Sequence, residues 1–141
     1  MVDKPSSEVI TKIRSVTATK SDENSNRNTP VVFNFGVNMD EADRKNDSVK
    51  LNFQMTMDTD PSIVKFMVEG SALIQGEVDE IEKILAPDGQ TGVPHVFTRI
   101  YQEVYAVIFL LAGNLDVPYP SPALLKRTQV RASAYPDQIQ Q

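Results

Sequence analysis

The 141-residue chain contains no cysteine, which excludes disulfides, thiol catalysis and any cysteine-ligated metal site. A single histidine, His95, argues against multi-histidine metal sites and histidine relays. Basic residues are in deficit, fourteen against nineteen acids, for a net charge of −5. A non-specific nucleic-acid binder needs a basic surface to displace phosphate counterions, so no nucleic-acid partner is expected. Long apolar runs are missing as well. The longest, Val104–Ala112, has nine residues, about half of what a membrane span requires. The opening stretch MVDKPSSEVITKIR has no apolar run fit for a signal peptide. These absences predict a cytoplasmic protein without membrane insertion, in which the glycosylation-type triplet Asn46-Asp47-Ser48 has no meaning.

What is present is ordinary globular material: 40 % hydrophobic and 23 % charged residues, enough for one domain with a real core. The expected division is a single domain over residues 1–125 and a polar, disordered tail over 126–141. Val9–Lys20 is rich in β-branched residues and reads as a bulged strand. Ser21–Thr29 has no apolar residue and reads as a long loop crossing between strands that are not hairpin neighbours. From Val31 to Met39 and from Val49 to Met57 apolar residues fall on alternate positions, the signature of strands with one buried face. DEADRKNDS between them is a charged turn. A third such strand runs from Ile63 to Gln75, with Val64, Phe66, Val68, Ala72 and Ile74 on one face. Asp58-Thr59-Asp60-Pro61-Ser62 is the intervening turn. The pattern predicts an antiparallel meander joined by the N-terminal strand.

After Gly76 the period changes. Val78, Ile81, Ile84 and Leu85 mark a short helix ended by Pro87 and Gly89. Pro94 opens a second helix, expected to run to Ala112 with Gly113-Asn114 as its left-handed cap. Its second half is apolar on every side, more than one sheet can cover. The cover is expected from a second subunit, with the chain's own segment Val117–Leu125 as the simpler alternative. The fold class is α+β: a four-stranded antiparallel sheet with a long crossover, packed on one long helix.

No constellation of catalytic residues emerges. Asp58 and Asp60 form an Asp-x-Asp pair able to hold a cation, but aspartates in turns usually bond local N–H groups. Gly89-Gln90-Thr91-Gly92 lacks the lysine and the preceding strand of a phosphate loop. His95 has no nucleophile motif beside it. Glu77, Asp79, Glu80 and Glu82 suit a solvated helix start. The remaining signal is an excess of adaptable apolar residues: Met39, Met55, Met57 and Met67 lie on strands among Phe33, Phe35, Phe53 and Phe66. Most of these are core, yet methionine also suits surfaces that bind many apolar partners.

The strand end Val68-Glu69-Gly70-Ser71-Ala72-Leu73-Ile74-Gln75-Gly76 resembles the Val-x-x-Gly-x-Phe-x-Ile-x-Gly stretch of the SecB family of export chaperones. Pro94, Val96, Phe97 and Glu103 are similar to that family's long-helix start, and Gly113 followed by Pro118, Pro120 and Pro122 to its proline-containing return. Ala72 stands where the family has phenylalanine, and Thr98-Arg99-Ile100 where it has Phe-Pro-Tyr. Gln102 replaces an arginine, and the helix-to-glycine spacing is one residue longer. The resemblance spans roughly Val9 to Leu125.

It implies a holdase that binds unfolded polypeptide in apolar grooves, without ATP or other cofactor, as a dimer or tetramer. It also implies a translocase motor or a toxin–antitoxin system as further partner. On that basis the polypeptide groove is expected at Phe33, Phe35, Met55, Met57, Tyr101 and Tyr105, with clients adding backbone bonds along a strand edge. The subunit interface is expected at Val104, Ile108, Phe109 and Ala112, with Tyr105 and Ala106 among the outward residues. Two rivals belong to other classes: an assembly protein whose apolar surplus is all subunit interface, and an enzyme or small-ligand binder using Asp58, Asp60 or His95.

Overall fold

A computed structural model describes residues 7–123 and 130–132. Four long strands, β1 (Ser7–Lys20), β2 (Val32–Lys45), β3 (Ser48–Asp60) and β4 (Val64–Gly76), precede helices α1 (Val78–Leu85) and α2 (His95–Leu115), and β5 (Val130–Ala132) follows. The order across the sheet is β1-β4-β3-β2-β5. The four long strands pair antiparallel, and β5 lies parallel to β2. The architecture is therefore the expected α+β. The crossover 21–31 carries the chain from one side of the four-stranded sheet to the other.

The alternation read from the sequence sets the faces. Phe35, Val37, Met39, Leu51, Phe53, Met55, Met57, Phe66, Val68 and Ile74 are all buried on one side, where α2 covers β1 and β4 and α1 covers β3 and β4. The other side carries Asn34, Asn38, Asn52, Gln54, Thr56 and Glu69. In β1 the register shifts between Ile13 and Ser15. That bulge moves the core-facing set from Val9 and Ile13 to Val16 and Ala18, which explains the irregular apolar spacing.

Three expectations are corrected. β2 continues through Asp40–Lys45, so most of the charged stretch is strand and the turn is Asn46-Asp47. A second register shift, between Glu41 and Asp43, carries those solvated residues past the end of the core. There Arg44 bonds Glu41 and reaches Glu82 of α1 at 3.2 Å. The second correction concerns the cap of α2, because Gly113 is helical and the left-handed residue is Asp116 (φ 55°, ψ 54°). The Val117 N–H donates to the Ala112 carbonyl and the Asp116 N–H to that of Gly113, a Schellman closure. This arrangement sinks Val117 into the core, and the Asp116 carboxylate accepts the Arg27 N–H and Nε–H of the crossover at 3.2 and 3.1 Å. The third is β5, which places part of the tail in the sheet; the rest of 126–141 lies outside the described residues.

By length and composition α2 is apolar enough to cross a membrane. Its stripe Val96, Phe97, Ile100, Tyr101, Val104, Ile108 and Ala112 is buried in this fold, so it serves as the core helix.

Candidate polypeptide-binding surface

Tyr101, Tyr105 and Phe109 stand four residues apart on α2 and share one helix face. They form the middle of a continuous aromatic row. Phe35 on β2 meets Tyr101 edge-to-face at 6.2 Å, and Tyr101 lies 5.8 Å from Tyr105. Tyr105 stacks on Phe109 at 6.1 Å, and Phe109 meets Tyr119 at 4.8 Å. The row starts in the core and ends in water: Phe35 is 0 % exposed, Tyr101 2 %, Phe109 46 % and Tyr119 46 %. Beside its outer end Leu110 is 65 % exposed.

The proline segment after α2 holds this row in place. Pro118 and Pro120 are buried, and the Tyr101 hydroxyl donates to the Ser121 carbonyl at 2.7 Å. Burial, with Tyr105 as a smaller cause, pushes the Tyr101 phenol far above its ordinary range. Burial and then Tyr119 also raise Tyr105 above its ordinary value. Both phenols stay neutral at physiological pH and present aromatic surface with an O–H donor.

The expected groove residues divide between core and surface. Phe33 and Tyr105 are half-buried at the margin of the core. Phe35, Met55 and Met57 are fully covered by the chain itself and Tyr101 nearly so, which corrects their assignment to an open groove. Their alternation with Phe53 puts them under the helices, where flexibility gives no access. The expected interface divides in the same way. Val104, Ile108 and Ala112 are 0 % exposed, a correction that follows from their four-residue spacing, and Phe109 alone of the four is open. Ala106 is exposed as expected. Leu110 and Tyr119 join the surface without having stood out in the sequence. Leu110 lies two residues, about 200° of helix, from buried Ile108, a phase that marks it as outward.

The other candidate chemistry does not assemble. Asp58 accepts a bond from Asn34 Nδ2 at 3.2 Å across the strand pair, and Thr59 organises the turn, its Oγ1 accepting the Ile63 N–H at 2.8 Å. Among the described residues no three carboxylate or imidazole groups converge as metal ligands do. His95 is exposed at the rim of a recess of about 710 Å³ that Lys83, Asp88 and Arg99 also line. On the polar sheet face a recess of about 400 Å³ is lined by Arg14, Asn38, Asp40, Asn52, Gln54 and Glu69.

No protein-family model matches the sequence, and no curated protein is similar to it. Among solved structures, the chain is similar to the Mycobacterium tuberculosis Rv1957 SecB-like chaperone in complex with a ChAD peptide from the Rv1956 HigA1 antitoxin. The TM-score is 0.47 at 11 % identity, over 80 % of this chain and 85 % of that chain. This is a remote resemblance of structure alone.

Proposed function

We propose that the protein is a holdase-type chaperone, binding non-native polypeptide without a cofactor through the outer end of its aromatic row. The observation that carries this reading is the exposure of Phe109, Leu110 and Tyr119 as one apolar surface continuous with Tyr105. Aromatic rings on a fixed helix accept many side chains at low entropic cost, and fully burying each large residue is worth about 1.5–3 kcal/mol. In this reading the protein works in the cytoplasm. Its clients are unfolded chains, delivered to a translocase motor or drawn from a toxin–antitoxin system.

The same surface favours a second reading, in which another copy of the chain covers Phe109 and Leu110 and the protein assembles as a dimer or tetramer. One variant separates the two. Leu110→Glu, at a position 65 % exposed, should leave thermal stability intact. If the surface takes clients, the variant loses suppression of aggregation of an unfolded model protein at unchanged particle mass. If it is an interface, light scattering shows a drop in mass instead. Wild-type protein that neither suppresses aggregation nor exceeds 15.7 kDa defeats both readings.

A further inference from the structure

After Asp116 the chain reverses, and residues 117–123, Val-Pro-Tyr-Pro-Ser-Pro-Ala, run back over the aromatic row of α2. Tyr119 meets Phe109 at 4.8 Å near the outer end of the row, and the Ser121 carbonyl accepts the Tyr101 hydroxyl at 2.7 Å near the inner end. We infer that the row is a recognition groove for extended apolar segments punctuated by proline, and that 117–123 is a strap with which the chain fills that groove itself. The inference rests on the polypeptide-binding reading above and names the class of segment bound.

The strap has little choice of shape. Proline holds φ near about −65° at 118, 120 and 122, and 117, 119 and 121 each precede a proline, which turns them away from the helical region. Every residue from 117 to 122 is thus held extended before it meets the row, so seating it costs little chain entropy. The groove reads features that any such segment offers. Pro118 and Pro120 are buried while Pro122 is exposed. Tyrosine and phenylalanine rings give proline rings a rigid apolar surface. The O–H of Tyr101 goes to a main-chain carbonyl, an acceptor independent of side-chain identity and the one backbone group that proline keeps. The strap's hold is also slight. Val117 anchors it, buried, with its N–H on the Ala112 carbonyl. Beyond Val117, among the described residues, the Tyr101–Ser121 bond is the one hydrogen bond that ties 118–123 to helix or sheet; the Ala123 N–H turns back to Ser121 Oγ. An incoming segment of the same chemistry therefore replaces what it displaces, ring for ring and carbonyl for carbonyl. Phe109 and Leu110, exposed at the outer end of the row, give it a place to begin.

A strap that must lift lowers apparent affinity by the fraction of molecules in which the groove is open. The probe is a fluorescein-labelled synthetic peptide, Val-Pro-Tyr-Pro-Ser-Pro-Ala, titrated with the full chain in fluorescence anisotropy; its control carries alanine for each proline. Wild type should bind the proline peptide about tenfold more tightly than the control, equivalent to about 1.4 kcal/mol. Replacing Pro118 and Pro120 together by alanine in the full chain loosens the strap and should raise affinity for the proline peptide about tenfold again. Pro122→Ala, at an exposed ring, should match wild type. With the strap loosened, Tyr101→Phe should weaken peptide binding about fivefold, because the peptide carbonyl loses its donor. Equal affinity for the two peptides overturns the inference, as does proline-peptide affinity that a folded double variant leaves unchanged. If the double variant does not fold, wild type decides by NMR: Tyr101 and Tyr105 ring protons that shift with the proline peptide alone uphold the inference, and any other pattern overturns it. Wild type that binds reduced, carboxymethylated α-lactalbumin, which is permanently unfolded, but not the proline peptide overturns the inference and leaves the polypeptide-binding reading standing. Wild type that binds neither overturns both.

Discussion

Gly70 sits on β4 opposite Ile13 of β1 on one side and Phe53 of β3 on the other. The β1 bulge begins at Ile13 and brings the strand so close that a Cβ on residue 70 would lie 2.2 Å from the Lys12 carbonyl oxygen. It would also meet Ile13 Cα at 3.0 Å and Phe53 Cζ at 3.1 Å. The phenylalanine ring can yield by a few tenths of an ångström. The carbonyl cannot rotate away, because it belongs to the strand, so β1 must shift by roughly 1 Å to reach ordinary contact distance. Overpacking that side chains can absorb costs about 1–3 kcal/mol, and a backbone clash belongs at or above the top of that range. Gly70→Ala is therefore expected to destabilise by about 3 kcal/mol, a fall in Tm on the order of 10 °C for a chain of this length. Urea and thermal unfolding followed by circular dichroism measure it. Gly113→Ala is the internal control: nothing lies within 4 Å of its Cβ, and alanine in a helix gains about 0.5–1 kcal/mol over glycine. A Gly70→Ala protein within 1 °C of wild type would refute the claim that the bulge demands glycine there.

Met57→Glu introduces a carboxylate at a position 0 % exposed and should abolish the cooperative unfolding transition in circular dichroism, in contrast to Leu110→Glu, expected to stay within about 0.5 kcal/mol of wild type. Tyr101→Phe removes the bond to the Ser121 carbonyl and should cost about 1 kcal/mol, with hydrogen exchange rising first in residues 117–123. The Arg27 side chain and N–H hold the Asp116 carboxyl below its usual range, and the Arg44 side chain does the same for Glu41. Any stability these pairs contribute is present above the ordinary carboxylate pKa of about 4 and is lost as pH falls through the depressed values. Arg27→Ala, which keeps the backbone N–H bond, should raise the Asp116 pKa toward the ordinary range in a carboxyl-carbon NMR titration, and an unchanged midpoint would disprove the side-chain coupling.

The meander was legible because Phe33 to Met39, Val49 to Met57 and Val64 to Val68 each alternate over several residues, and one residue of slip would expose every one of them. The same alternation places Met55 and Met57 with Phe53 in the core, and it is a stronger signal than the adaptability of methionine. Asp40–Lys45 was illegible as strand because charged residues with no buried partner carry no period. In the cap of α2, glycine preference pointed to Gly113, whereas burial of Val117 fixes the turn three residues later and leaves an aspartate to adopt the left-handed conformation. β5 has three residues, too few for any periodicity. Of the candidate surface, Tyr105 and Phe109 were legible as large apolar residues on a helix half with no polar side. Tyr119 joins them through the chain reversal at Asp116, a tertiary effect.

The placement of β1 beside β4 sets an order of assembly. β2, β3 and β4 are joined by short turns, so their ladders close loops of a few residues, whereas even the nearest pair of the β1–β4 ladder, Lys20 with Val64, closes one of more than forty. Loop-closure entropy grows with the logarithm of that length, and non-local pairing slows folding. The three-strand meander is accordingly expected to form first and β1 to dock after it, once Gly70 and its neighbours offer a finished ladder. β1, a tenth of the chain, then waits on the meander it joins, and pulse-labelled amide exchange should show β1 gaining protection after β3.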